Sequence, residues 1–270
     1  KNGYGGLLNF SIYNADEHYI GSEDKENKKG SVVGLMGSGL LKRLESSTKS
    51  FHMSCHKLLL KNLSWLEKFD PAKNSEKTLA AWKTKNETVL KNPSLNLFDD
   101  DEDDSDSLDH EYNHAELPVW SDKDYDFKEI VKDTYEDIDV IAKLISATTA
   151  INPESDGKID ALVKVLTSKE ISASGKVIIF TEFVSTAEFL KAELNRRIEG
   201  KVISAIHSKT SEDRKNIVKR FSPYYNDSSP QELACACDGN GYAANGQKHP
   251  KGCDSEDEIE ILISTDVLAE

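Results

Sequence analysis

Three short runs of apolar residues in the second half of the chain constrain its fold more than any other feature. They cover residues 176–181, 202–206 and 259–265, and stretches with helical periodicity separate them. A continuous apolar run of this length is typical of a strand that is buried on both faces of a parallel sheet. Because parallel strands need crossover connections, the alternation of strand and helix predicts an α/β fold with right-handed crossovers.

Helical periodicity fills the intervals before and between these runs. Apolar residues recur at three- and four-residue steps over 138–145, 159–166, 185–198 and 211–221, which predicts one helix in each range. Ligands of open parallel sheets bind at the carboxyl ends of the strands. We therefore expect any functional site to lie at that edge of the sheet.

The first third of the chain predicts helices and no strands. Between Leu35 and Leu66 the apolar residues repeat at helical spacing, which predicts a single amphipathic helix about 50 Å long. A second helix is predicted over 76–90, and Asn92 and Pro93 end it. We expect the two helices to pack as a long α-hairpin that projects from a core domain.

The charge of the chain is unevenly distributed. The formal net charge is −14, which argues against a nucleic-acid partner, because phosphate binding needs a surface of Lys and Arg. The segment 99–139 holds 18 acidic and 3 basic side chains, however, whereas 157–221 holds 13 basic and 8 acidic ones. The acidic segment therefore masks a mildly basic domain, and nucleic-acid binding stays open.

These patterns predict three segments. Residues 1–95 form a helical insertion with a flexible N-terminus over 1–30, residues 96–134 form an acidic linker or loop, and residues 135–270 form the α/β domain. The acidic run at 99–106 repels itself and buries no apolar area, which favours a solvated linker. A regulatory segment that competes with DNA for a basic groove is the alternative.

The sequence lacks the features of membrane and secreted proteins. No run approaches the roughly 20 apolar residues that cross a bilayer, and the N-terminal segment lacks the basic-then-apolar order of a secretory signal. Its 4 cysteines do not form the dense framework of a small secreted domain. We therefore expect an intracellular, cytoplasmic protein with reduced thiols.

A Gly- and Asn-rich loop at 222–258 holds Cys235, Cys237, His249 and Cys253. Three thiols and one imidazole are a ligand set that zinc accepts. Zinc sites usually place two residues between paired cysteines, whereas a single residue separates Cys235 from Cys237. A mobile loop with free thiols is therefore the favoured interpretation, and a Cys3His zinc site is the alternative.

Four blocks resemble parts of the Swi/Snf-type ATP-dependent helicases and translocases of superfamily II. Residues 176–190 (KVIIFTEFVSTAEFL) resemble the motif IV region of the C-terminal lobe, and 205–214 (AIHSKTSEDR) resemble the strand, turn and arginine-bearing helix that follow. Residues 261–270 (ILISTDVLAE) resemble motif V. Upstream, residues 40–47 (LLKRLESS) resemble a run that lies between the two lobes in bacterial members.

The resemblance implies a RecA-like second lobe, in which helices flank a parallel sheet and a helical insertion precedes it. Such a lobe would grip the backbone of DNA, with RNA as the alternative, and would close on ATP and Mg²⁺ held by a first RecA-like lobe. The glycines Gly34, Gly37 and Gly39 lack the lysine and the preceding strand of a phosphate-binding loop. We therefore expect this chain to be part of a longer, bacterial enzyme, with no catalytic residue, no tightly bound cofactor and no ATP hydrolysis of its own.

Hydroxyl groups follow each predicted strand, as a translocase requires, because it holds phosphates without reading bases. By resemblance, Arg214 would contact or brace the phosphates, and Asp266 and Glu270 would face the ATP cleft. Each hydroxyl has a helix-capping or strand-ending alternative, and Arg214 has the alternative of a salt bridge to Glu212 or Asp213. The predicted nucleic-acid-binding residues are Thr181, Ser185, Thr186, Thr210, Ser211, Arg214, Ser264 and Thr265.

Two other functions remain open. The chain could be a non-enzymatic protein-interaction module, in which the helical hairpin and the acidic segment recruit partners and the α/β part is a scaffold. It could instead be a Rossmann-like transferase or hydrolase with a nucleotide ligand, although no glycine-rich phosphate loop follows a strand. His207 has no partner group for catalysis or metal binding near it in the sequence and is interpreted as structural.

Overall fold

The computed structural model describes residues 8–20, 31–70, 72, 75–91, 123–151, 156–222 and 258–265. The chain divides into two units, Lys1–Asn152 and Pro153–Glu270. The acidic run at 99–106 and most of the 222–258 loop lie outside the described residues.

The described part of the first unit is helical. A cluster of buried apolar side chains joins its helices, and Trp65 and Ile138 at the centre of that cluster are fully buried. Two short 3-10 turns, Ser11–Tyr13 and Ala15–His18, precede the helices. The helices are α1 (Ser31–Ser46), α2 (Thr48–Phe69), α3 (Ser75–Lys85), α4 (Glu87–Leu90) and α5 (Phe127–Thr149).

The single long helix predicted over 35–66 is wrong, because the chain breaks between α1 and α2. Ser47 has an extended backbone, with φ −156° and ψ 145°, and its hydroxyl accepts the Ser50 N–H at 3.0 Å. A serine at this position satisfies one of the amides that the first turn of a helix leaves unpaired. The apolar periodicity runs through the break, so it does not show where one helix ends and the next begins.

Helix α2 packs against α3, as the predicted hairpin requires, but it packs mainly against α5, a helix that the sequence analysis assigned to the α/β domain. The rings of Trp65 on α2 and Phe127 on α5 stack with 6.4 Å between their centroids. From α3, the Trp82 indole N–H donates to Asp139 on α5 at 2.8 Å. Helix α5 therefore crosses the boundary predicted between residues 134 and 135 and belongs to the first unit.

The N-terminal segment is anchored by a buried carboxylate, contrary to the prediction that residues 1–30 are flexible throughout. Asp137, which is 2% exposed, accepts the Asn9 N–H at 2.6 Å, the Ser11 N–H at 2.8 Å and the Ser11 hydroxyl at 2.7 Å. These bonds hold Phe10 and Ile12 in the core. Burial raises the pKa of Asp137, and the hydrogen bonds oppose that effect.

His52 links α2 to α5 as a neutral ring. Its Nδ1 lies 2.8 Å from Thr148 Oγ1, and that hydroxyl donates to backbone carbonyls of its own helix, so the ring N–H is the donor to Thr148. Burial lowers the pKa of His52 to about 4, and the charges of Lys49 and His56 add to the effect.

The second unit contains a three-stranded parallel sheet within its described residues, which confirms the α/β fold class. The strands lie in the order β1–β3–β2, where β1 is Val177–Phe180, β2 is Ile203–Ile206 and β3 is Ile261–Ser264. The helices of this unit are α6 (Gly157–Leu166), α7 (Lys169–Ser174), α8 (Val184–Arg197) and α9 (Arg214–Phe221).

Helices cover both faces of the sheet, because alternate strand residues point to opposite sides. Ile261 and Ile263 pack with α6 and α8, whereas Leu262 packs with Ile217 of α9. The connections β1 to β2 and β2 to β3 run in opposite directions across the sheet, so right-handed crossovers place α8 and α9 on opposite faces.

Strand β1 differs from the prediction that it is buried on both faces. Ile178 is 42% exposed and Phe180 is 67% exposed, whereas every side chain of β3 is buried. In the described residues β1 lies at one side of the sheet, and α9 packs over β2 and β3 at the other side of that face.

No described helix has the length and apolar character needed to cross a bilayer.

We expect Asp137→Asn to destabilise the first unit by about 2–4 kcal/mol, because the amide places two N–H donors among groups that already donate. Urea unfolding followed by tryptophan fluorescence measures this loss, since all 3 tryptophans lie in that unit. Glu136→Gln is the control, because Glu136 is exposed on the same helix. An equal loss in both variants would contradict the anchoring role.

We expect the first unit to lose stability as the pH falls from about 6.5 to about 4. Unfolded histidine takes up a proton near pH 6.5, whereas folded His52 stays neutral down to about 4, so unfolding binds a proton in this window. The free energy of unfolding should fall by about 1–2 kcal/mol. This is less than the full pKa difference would give, because solvent screens part of the cost of charging the buried His52 ring.

The variant His52→Asn keeps a donor towards Thr148 and cannot titrate, so it isolates this effect. Its free energy of unfolding should change less with pH than that of the wild type. Asp137 contributes in the opposite direction, because its raised pKa favours proton uptake by the folded state. Parallel pH profiles for the two proteins would show that His52 is not responsible.

Candidate nucleic-acid interface

The three strands end at one level along one edge of the sheet, as the sequence predicts. Phe180 and Ile206 are both in register with Ser264 of β3. One residue further, the Thr181 N–H donates to the Ser264 carbonyl at 3.0 Å, and the Thr265 N–H donates to the Ile206 carbonyl at 3.2 Å. We call this the carboxyl edge, which consists of Thr181, Thr265 and the turn at 207–213.

The turn that follows β2 is tightly hydrogen-bonded. The Thr210 N–H donates to the His207 carbonyl at 3.1 Å, and the His207 N–H donates to Thr210 Oγ1 at 2.8 Å. Asp213 then caps α9, because its carboxylate accepts the Lys215 N–H at 3.1 Å. Helix α9 thus begins at the carboxyl edge with Arg214 as its first residue.

The side chain of Arg214 is exposed, and neither of its predicted salt-bridge partners binds it. Glu212 pairs with Arg220 at 3.0 Å, and Asp213 caps the helix. Among the described residues, no ion pair involves Arg214. Its guanidinium group is therefore placed to meet an anion from solvent.

The hydroxyl groups at the carboxyl edge fall into an accessible and a buried set. Ser211 is exposed, and Thr181 and Thr210 are half-buried. The hydroxyl of Thr210 accepts one hydrogen bond and keeps its own proton to donate. Thr181, Thr210 and Ser211, together with Arg214, are the predicted residues that this edge presents to a ligand.

The buried set corrects the sequence-based list of binding residues. Ser264 is fully buried, and its hydroxyl donates to the Thr265 carbonyl at 2.7 Å, so it is not offered to a phosphate. Thr265 is buried too, at 6% exposure, as are Ser185 and Thr186 on α8. Strand ends are accessible only where the following chain turns outward, and the sequence pattern does not show that.

The helix-capping alternative does not account for the hydroxyl groups that precede or open the two helices. The N-cap of α8 is Phe183, without a side-chain hydrogen bond, so Ser185 and Thr186 lie inside the helix. The N-cap of α9 is Asp213, beyond Thr210 and Ser211.

His207 has the structural contacts that the sequence interpretation assigned to it. It is 5% exposed, and its Nε2 lies 2.5 Å from Glu188 Oε1 on α8. That hydrogen bond lowers the pKa of Glu188. Sequence reasoning missed Glu188, because nothing in the helical pattern around it indicates a partner 19 residues away.

Several predicted site residues lie outside the described residues. They include both ATP-cleft candidates, Asp266 and Glu270, and all four candidate zinc ligands, Cys235, Cys237, His249 and Cys253. Within the described residues, no group of three or more His, Cys, Asp or Glu side chains is arranged to hold a metal. Cys55 is a free thiol in the first unit, and burial raises its pKa to about 12.

Residues 157–233 match the family model of the helicase conserved C-terminal domain. This segment starts with α6 and includes β1, α8, β2 and α9, so it contains the whole carboxyl edge except Thr265. This match supports a helicase-family C-terminal lobe within the second unit, and the parallel sheet with helices on both faces agrees with the RecA-like fold of that domain. Comparisons with curated proteins and with solved structures found no match.

Proposed function

We propose that the second unit is the C-terminal lobe of a Swi/Snf-like, ATP-dependent DNA helicase or translocase, and that its carboxyl edge holds the nucleic-acid backbone. The observation that carries the proposal is Arg214, which is exposed at this edge and forms no ion pair with any residue that the structure describes, within a match to the helicase C-terminal domain. Ser211 lies three residues before it in the turn after β2, and Thr181 follows β1 on the other side of β3.

The chemistry of these groups suits a phosphate backbone better than bases. Hydroxyl groups, backbone amides at helix N-termini and arginine all donate hydrogen bonds to phosphate oxygens and carry no sequence information. Arginine in particular offers several N–H donors in a planar fork. The expected interaction is therefore independent of sequence and sensitive to salt.

We propose that ATP is the substrate of an intact enzyme that also has a first RecA-like lobe. Phosphoryl transfer in this class of motor needs a phosphate-binding loop and a magnesium ligand from that lobe. Closure of the two lobes around ATP would move the backbone grip along a strand, which is a gating role for this lobe. DNA is the proposed partner, and a matched RNA competitor in the same titration distinguishes the two nucleic acids.

We expect Arg214→Ala to weaken binding of a labelled DNA duplex by about three- to tenfold at low salt. The slope of log affinity against log salt concentration should also fall by about 0.9, since one phosphate contact is lost. Fluorescence anisotropy titrations of the 270-residue chain at two salt concentrations measure both quantities.

Arg196→Ala is the matched control, because it removes the same charge from the other end of the fold. Arg196 lies in the last turn of α8 and pairs with Glu193 at 3.0 Å. Helix α8 runs from the carboxyl edge back towards the start of the strands, so Arg196 lies far from Arg214. Equal losses in the two variants, or affinity that ignores salt, would count against a backbone grip at the carboxyl edge.

We expect the two sets of hydroxyl groups to differ in the same titration. Ser211→Ala should weaken DNA binding by about two- to threefold, because it removes an accessible donor. Ser264→Ala should leave the affinity unchanged, since that hydroxyl is buried and bonded within its own strand. A larger effect at Ser264 than at Ser211 would place the DNA elsewhere.

A further inference from the structure

We propose that Glu188 and His207 are positioning residues, which hold the turn after β2 in the conformation that presents Thr210 and Ser211 to the nucleic-acid backbone. This inference rests on the proposed function. It adds the buried His207 and the half-buried Glu188, neither of which touches the ligand, to the site.

His207 organises the turn with both its backbone and its ring. Its carbonyl accepts the Thr210 N–H at 3.1 Å, and its N–H donates to Thr210 Oγ1 at 2.8 Å. The ring Nδ1 lies 3.3 Å from the Lys209 nitrogen and accepts that N–H. Residues 207–210 are therefore closed into one hydrogen-bonded unit around a single side chain.

Glu188 fixes the orientation of that ring. Because Nδ1 is an acceptor, the neutral ring carries its proton on Nε2, which donates to Glu188 Oε1. If Glu188 were lost, the ring could rotate or change tautomer, and Nδ1 would no longer be held opposite Lys209. The hydrogen bond from His207, with Lys191 nearby, keeps the pKa of Glu188 below its usual value, so the carboxylate stays ionised.

The contact joins two elements that both reach the carboxyl edge. Glu188 lies in the second turn of α8, which starts next to Thr181, and His207 follows the last residue of β2. Helix α8 also packs on β2. The position of the turn is thereby tied to a helix whose other contacts are in the core.

Charge and positioning predict opposite effects for removal of Glu188. A carboxylate close to a phosphate site repels the ligand, so a purely electrostatic effect of its removal would be tighter binding. Loss of positioning instead leaves the turn free to move, and binding must then order it again, which weakens the affinity. The sign of the change therefore separates the two explanations.

The test compares Glu188→Ala with Glu193→Ala in DNA-duplex titrations of the full chain. Glu188→Ala removes the acceptor for the His207 ring, which a glutamine amide oxygen would keep. Both variants remove one negative charge from α8, but Glu193 pairs with Arg196 and Arg197 away from the carboxyl edge. We expect Glu188→Ala to bind about three- to tenfold more weakly than the wild type. Glu193→Ala should bind as the wild type does or slightly more tightly.

A second readout does not depend on nucleic acid. Hydrogen exchange at the amides of residues 207–210 should be faster in Glu188→Ala, because the Lys209 N–H loses its fixed acceptor. In a double-mutant cycle, Glu188→Ala should add little to the loss caused by Thr210→Val, since both act on the same turn. Thermal melts show whether each variant is folded at the temperature of the titration.

The outcomes separate the two proposals. A wild type that does not bind DNA would overturn the proposed function and this role with it. A wild type that binds, together with a Glu188→Ala variant that binds equally well or more tightly and exchanges no faster, would overturn the positioning role alone. Weaker binding with faster exchange, and fully folded protein, would support it.

Discussion

Strand β3 is the constraint on which the arrangement of the second unit depends. It hydrogen-bonds to β1 on one side and to β2 on the other, and all its side chains are buried. Because a single strand aligns both neighbours, their ends must fall at one level. The carboxyl edge therefore exists only when residues 261–264, which the family match does not include, insert between two strands that it does.

The same placement explains how much of this fold the sequence predicts. The strands of the second unit and its helices α6, α8 and α9 lie close to their predicted ranges, because each has enough apolar residues at its own period to be recognised locally, whereas the short helix α7 was not predicted. The exposure of Ile178 and Phe180 could not be predicted, since it depends on β1 lying beside β3 and not between two strands. Apolar composition shows that a segment is a strand, and only the strand order decides which faces are covered.

The first unit, which is helical, shows another limit of prediction from sequence. Periodicity locates the apolar faces of α2 and α5 but says nothing of which face packs on which, so the association of α2 with α5 came only from the structure. Local hydrogen-bond chemistry could have improved one prediction, since a serine run at 46–47 is a favourable place for a helix to start again. The anchoring of Asn9 and Ser11 by Asp137 joins residues 126 or more positions apart, and no local signal predicts that.

The candidate site shows the same division between what the sequence predicts and what only the fold determines. Its location follows from the carboxyl ends of parallel strands, which the sequence supplies, whereas the accessibility of each hydroxyl depends on the path of the chain after each strand. The sequence pattern does not distinguish Ser264 from Ser211, yet Ser264 is buried within β3 and Ser211 is exposed to solvent.

Local pairing also explains how an acidic chain can offer a site to an anion. Among the described residues, three of the carboxylates near the carboxyl edge are engaged within the protein: Glu188 with His207, Glu212 with Arg220, and Asp213 with the first turn of α9. A carboxylate held in a hydrogen bond, an ion pair or a helix cap exerts a weaker field on solvent than an isolated one, because its partner's charge or dipole opposes it. Arg214 is then an outward-facing positive charge at the start of α9, and the net charge of −14 for the whole chain does not describe the potential that a phosphate would meet there.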